Sequence, residues 1–124
     1  MLKKRILVID DEEVIGQMVK MNLEDTGEYA VENLTSGLNA VGAAVAFKPD
    51  FILLDVVMPD IDGPAVYNNL KENKDTKDIP VVFLTAIATD QDTGASGGII
   101  GGRPILSKPI TTRKLIECIK KYSK

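Results

Sequence analysis

Five side chains in this sequence could do chemistry together: Asp10, Asp11, Asp55, Thr85 and Lys108. Each stands at or just beyond the end of a short run rich in apolar residues. Singly, each has an ordinary explanation. Asp10-Asp11 could cap a helix, with Glu12 and Glu13 favouring its positive end. Thr85 could bond its hydroxyl to a strand-end backbone, and Lys108 before Pro109 could be a surface lysine. Asp55 resists that treatment, because an acid closing the run 51–54 loses hydration unless something compensates it. Gathered in one crevice, three carboxylates repel, and each resists ionisation. A hard divalent cation removes the conflict, and carboxylate oxygens with water suit Mg²⁺. Such a group could handle a phosphoryl transfer. Asp55 would be the nucleophile, Mg²⁺ and Lys108 would neutralise developing charge, and Thr85 would bond an oxygen.

The elements that must position these residues are legible as a repeat. Runs 6–9, 51–54 and 81–84 are apolar without alternation, which predicts strands buried on both faces. Weaker strands are predicted over 29–34 and 105–107. Apolar residues at three-and-four spacing predict helices over 13–25, 38–47, 64–73 and 112–122. Ser36 and Thr111 are the expected N-caps, and Pro49 and Pro80 stand at strand entrances. Strands and helices alternate, so right-handed crossovers give a doubly wound (βα)5 α/β domain spanning 1–124. In such a domain ligands bind beyond the carboxyl ends of the strands, where the five residues fall.

Composition narrows the chemistry further. The 124 residues carry a net charge of −3 and no histidine. Histidine triads, histidine metal sites and self-contained phosphohistidine chemistry are thereby excluded. The acidic pI of about 4.9 speaks against direct nucleic-acid binding. Apolar runs are too short to span a membrane, and the positive start is interrupted at Asp10, unlike a signal peptide. The single cysteine, Cys118, permits no internal disulfide, fits a reducing cytoplasm and is expected in the core of the last helix. Basic residues 108, 113, 114, 120, 121 and 124 read as a solvated face, or as a contact for an acidic partner. The chain ends soon after the fifth expected helix, so no output domain is expected on it.

Asp10-Asp11, Asp55-x-x-Met58-Pro59-x-x-Asp62-Gly63, Thr85-Ala86 and Lys108-Pro109, in order and at family-like spacing, resemble a response-regulator receiver domain of the chemotaxis-regulator kind. The resemblance implies a parallel five-stranded sheet of order 2-1-3-4-5. It also implies that Asp55 accepts a phosphoryl group from a phosphohistidine on a sensor histidine kinase or histidine phosphotransfer protein. Asp10, Asp11, Asp55 and the backbone carbonyl of Val57 would hold Mg²⁺, Thr85 would swing toward the phosphate and Lys108 would pair with it. Signalling would proceed by altered binding of a downstream protein, from a monomer or weak dimer. The chain would act on its own phosphorylation state only, without being an enzyme for other substrates.

Three features depart from that pattern. Position 105, usually an aromatic that turns inward, is Ile105, whose branched side chain cannot act as an aromatic rotamer switch. Val57 and Ile87 replace polar residues that often help water attack the aspartyl phosphate, so a long-lived phosphorylated state is expected. The stretch 94–102, GASGGIIGG, holds half of the ten glycines. It falls where the fourth helix is expected from about 90 to 98. Glycine disfavours a helix interior by roughly 0.8–1 kcal/mol against alanine, so that helix is expected to be short, frayed or replaced by an ordered loop. No strand turns directly into this run and no helix starts after it, which excludes a phosphate-binding P-loop.

Three other readings share part of the pattern. A degenerate receiver would fold alike and serve as a docking module without phosphorylation, and the complete acid set opposes it. A haloacid-dehalogenase-like hydrolase wants a second acid at position 57, where Val57 stands. A flavodoxin-like flavin binder wants a Ser/Thr-rich loop where residues 10–13 are all acidic.

Overall fold

The structure, a computed structural model, describes residues 3–85, 98–100, 103–107 and 110–123. The order is β1 (Lys4–Ile9), α1 (Glu13–Asp25), β2 (Tyr29–Leu34), a 3-10 turn (Gly37–Asn39) and α2 (Ala40–Phe47). There follow β3 (Phe51–Asp55), α3 (Gly63–Glu72), β4 (Val81–Thr85), β5 (Gly98–Ile100), β6 (Arg103–Ser107) and α4 (Thr112–Tyr122). All strands join one sheet of order β2-β1-β3-β4-β6-β5. Strands β2, β1, β3, β4 and β6 run parallel. With β6 as the fifth parallel strand, this is the expected 2-1-3-4-5 arrangement.

The sixth strand is an addition. β5 lies antiparallel to β6 at the sheet edge, with Gly98 opposite Ile105 and Ile100 opposite Arg103. The sequence carried a signal for it. Ile99-Ile100 and Arg103 are separated by the dipeptide Gly101-Gly102, and a glycine pair between two extended runs is a hairpin signature. Weighing these glycines only as helix breakers misses that second meaning. The short or irregular helix expected over 90–98 lies outside the described residues, apart from Gly98, which belongs to β5.

Uninterrupted apolar strands arise because the sheet is covered on both sides. Ile6, Val8, Phe51, Leu53, Val82 and Leu84 face a core shared with Val19 and Leu23 of α1 and Leu115, Cys118 and Ile119 of α4. Their sequence neighbours Leu7, Ile9, Ile52, Leu54, Val81 and Phe83 face the opposite core, with Ala40 and Ala44 of α2 and Val66 and Leu70 of α3. Burying each large side chain contributes roughly 1.5–3 kcal/mol. That packing, not intrinsic propensity, holds the eight-residue α2, which is too short to persist alone.

Local chemistry fixes the element ends that frame the site. Ser36 Oγ accepts from the Leu38 amide at 3.2 Å and starts the 3-10 turn; Thr111 Oγ1 accepts from Lys114 at 3.2 Å and starts α4. Asp62 Oδ1 accepts from Ala65 at 2.9 Å and starts α3, with Pro64 in its first turn. At α1 the cap position is Glu12, and its side chain makes no capping bond.

Candidate functional site

Strand register brings the acids together. Ile9 lies opposite Leu54 in the β1–β3 pair, so the next residues, Asp10 and Asp55, emerge side by side at the carboxyl edge of the sheet. Asp55 in turn lies opposite Leu84, which puts Thr85 one position beyond. Oxygens of Asp10, Asp11 and Asp55 all lie within 4.8 Å of one another. Asp10 and Asp55 are buried, at 2% and 4% exposure, while Asp11 is open to solvent. Thr85 is buried at 2%.

The backbone around the acids is held by specific bonds. The Asp10 amide donates to the Leu34 carbonyl at 3.0 Å, and Asp10 Oδ1 accepts from the Glu12 amide at 2.9 Å. Asp10 thus orders the approach to α1 with one oxygen and contributes to the acid cluster. Beyond β3, the Val56 amide donates to the Leu84 carbonyl at 3.0 Å, and Gly63 donates back to the Val56 carbonyl at 2.7 Å. Gly63 sits so close that a Cβ there would stand 2.8 Å from Val56 Cα and collide with the Asp55 carbonyl oxygen. The glycine of the Asp62-Gly63 pair therefore serves close approach, letting α3 begin against the backbone of Asp55.

Residues 56–62 form the loop between Asp55 and α3. Met58 is buried and Val57 is exposed at 59%. The Ser36 hydroxyl donates to Asp60 Oδ2, while Asp60 Oδ1 accepts from the Ile61 amide at 2.9 Å. The Ser36 bond is the main reason the Asp60 carboxyl is held below its ordinary pKa, and the backbone amides of Asp60 and Ile61 add to it. Sequence reasoning named Ser36 as a cap and missed its contact with Asp60. A serine before a glycine-started turn gives no sign of a partner 24 positions away.

The residues fit a hard cation. Three carboxylates supply an all-oxygen donor set, and their 4.8 Å limit is close to twice the Mg²⁺–oxygen distance of about 2.1 Å. Of the sequence-derived site, Asp10, Asp11, Asp55 and Thr85 meet at one edge, and Val57 lies in the adjoining loop. Lys108 and Ile87 lie outside the described residues. Ile105 is buried at 3% in the core, opposite Phe83 in the β4–β6 register, so the position usually held by a mobile aromatic is a packed aliphatic.

Residues 6–120 match the response regulator receiver domain family. The chain belongs to the receiver-domain family. The receiver is 36% identical over 116 residues to the DNA-binding dual master transcriptional regulator RpaA of Synechocystis sp., covering 94% of this chain but 47% of that protein. It therefore spans about half of RpaA's length. It is 32% identical to the polar-differentiation response regulator DivK of Brucella ovis, over 98% of this chain and 97% of DivK. Among solved structures, the receiver resembles the Vibrio cholerae chemotaxis protein CheY4, with a TM-score of 0.81 and 27% identity over 98% and 99% of the two chains. A response regulator from Chloroflexus aurantiacus matches at 0.80 and 26%, over 97% of each chain. Receiver domains are signalling modules. No helix among the described residues is long and apolar enough to cross a membrane.

Proposed function

We propose that this receiver accepts a phosphoryl group on Asp55 from a phosphohistidine of a sensor histidine kinase or a histidine phosphotransfer protein. The carrying observation is the convergence of the Asp10, Asp11 and Asp55 oxygens within 4.8 Å at the carboxyl edge of the sheet. A carboxylate oxygen of Asp55 attacks phosphorus in line with the leaving imidazole. The phosphorus–oxygen bond forms as the phosphorus–nitrogen bond breaks, and the imidazole nitrogen recovers a proton from solvent.

Asp10, Asp11, Asp55 and the Val57 carbonyl are the groups that hold Mg²⁺ in this reading. The bound cation supplies positive charge against the phosphoryl oxygens. Thr85 donates its hydroxyl to one phosphoryl oxygen, and Lys108 places an ammonium against another. Burial of Asp10 and Asp55 strengthens each of these interactions relative to bulk water. Phosphorylation then alters the affinity for a downstream protein in the cytoplasm, with no nucleic acid contacted by this chain. Because Ile105 is packed and aliphatic, this change does not run through an aromatic rotamer switch.

Incubation with acetyl phosphate and Mg²⁺, followed by intact-mass measurement, tests the proposal. One added phosphoryl group on the wild type supports it. An unmodified wild type with Mg²⁺ present supports the docking-module reading in its place.

A further inference from the structure

The loop 56–62 carries Val57 between two anchored ends. One anchor is Gly63 against the Asp55 and Val56 backbone. The other lies across the domain surface, where the turn after β2 meets the loop. There the Ser36 hydroxyl donates to Asp60. Beside it Gly37 is buried, and a Cβ on it would lie 2.6 Å from Val66 Cγ2 and 2.7 Å from Ile61 Cγ2. A polar bond and a close-packed glycine therefore dock the same two segments. Asp60 stands only three residues beyond Val57, and its other oxygen holds the Ile61 amide at 2.9 Å. The Ser36 bond is the polar part of that docking, and it involves none of the three carboxylates of the cluster.

We propose that Ser36 and Asp60 are positioning residues for the cation site: their hydrogen bond fixes the loop that presents the Val57 carbonyl to Mg²⁺. The proposal rests on the reading that Asp10, Asp11, Asp55 and Val57 hold that cation. Positioning groups outside the ligand set influence metal affinity by restricting where the ligands can go. Here the restriction acts through backbone, so the effect is smaller than that of losing a carboxylate.

Mg²⁺ titration followed by amide NMR tests the idea without any phosphorylation. Ser36→Ala should weaken Mg²⁺ binding roughly three- to tenfold, since a bond to a charged acceptor is lost. Asp60→Asn, which keeps an acceptor oxygen for Ser36, should hold affinity closer to wild type than Asp60→Ala does. Ser36→Thr, which keeps the hydroxyl, should restore most of the loss. The Ser36→Ala/Asp60→Ala double variant should lose no more than Asp60→Ala alone, because both changes break the same bond. Asp11→Ala serves as the reference that removes a ligand. If Asp11→Ala abolishes binding while Ser36→Ala and Asp60→Ala stay within twofold of wild type, the positioning role is overturned and the cation site stands. Additive losses in the double variant overturn it as well. A wild type that binds no Mg²⁺ overturns both the site and this role.

Discussion

Gly63 is where one methyl group should do most damage. Its absent Cβ makes room for the Asp55 carbonyl, and the neighbouring atom that would be struck is backbone, which cannot rotate away. Gly63→Ala should therefore destabilise the fold by roughly 1–3 kcal/mol, the usual range for forced overpacking. Denaturant unfolding measures this, and a loss within 0.5 kcal/mol would deny the close approach. Cys118 behaves oppositely, as a small apolar group. Burial raises its thiol pKa to about 11, against a weaker downward pull from Lys121. An unfolded thiol ionises near 8.5, so the unfolded chain releases its proton first. The thiol's contribution is intact below about pH 8.5 and is lost as pH rises toward 11. The stability difference between wild type and Cys118→Ala should accordingly shrink from pH 8 to pH 10.5, and a constant difference would contradict the assignment. At the site, Val57→Asn with Ile87→Glu should speed loss of the aspartyl phosphate by roughly tenfold or more, by giving water polar partners. An unchanged half-life would remove the apolar pair as its cause.

At the scale of elements, legibility depended on how many physical signals agreed. The expected bounds 13–25 and 29–34 match α1 at Glu13–Asp25 and β2 at Tyr29–Leu34, whereas the helix expected over 38–47 begins only at Ala40, after the 3-10 turn. Ser36 and Thr111 were recognisable as caps from side-chain chemistry alone. β5 is not legible from periodicity, because Gly98-Ile99-Ile100 is shorter than any such window; its signal is the glycine pair before Arg103, and its pairing with β6 is a tertiary choice. Position within the sheet gives an expectation for these two strands. β6 lies between β4 and β5, whereas β5 lies at the edge. Hydrogen exchange should show greater mean amide protection over 105–107 than over 98–100, since edge strands open at lower free energy. Equal protection would mean that β5 is covered from outside.

Across the whole molecule, the acidic site is a product of strand register. Ile9 opposite Leu54, and Asp55 opposite Leu84, carry four residues from three distant segments to one edge. The candidate residues themselves were legible because they end apolar runs, and a doubly wound sheet collects such ends at one side. What holds the 56–62 loop was not legible, since the Ser36–Asp60 bond and the tight approaches of Gly37 and Gly63 depend on three-dimensional proximity. On the proposed reading, the assembled edge makes Asp55 a phosphoacceptor. The most direct measurement is phosphotransfer from a phosphorylated histidine kinase in Mg²⁺, comparing wild type with Asp55→Ala. One phosphoryl group is expected on the wild type and none on the variant. Label retained on Asp55→Ala, or a wild type that stays unlabelled by a kinase that phosphorylates another receiver, would contradict it.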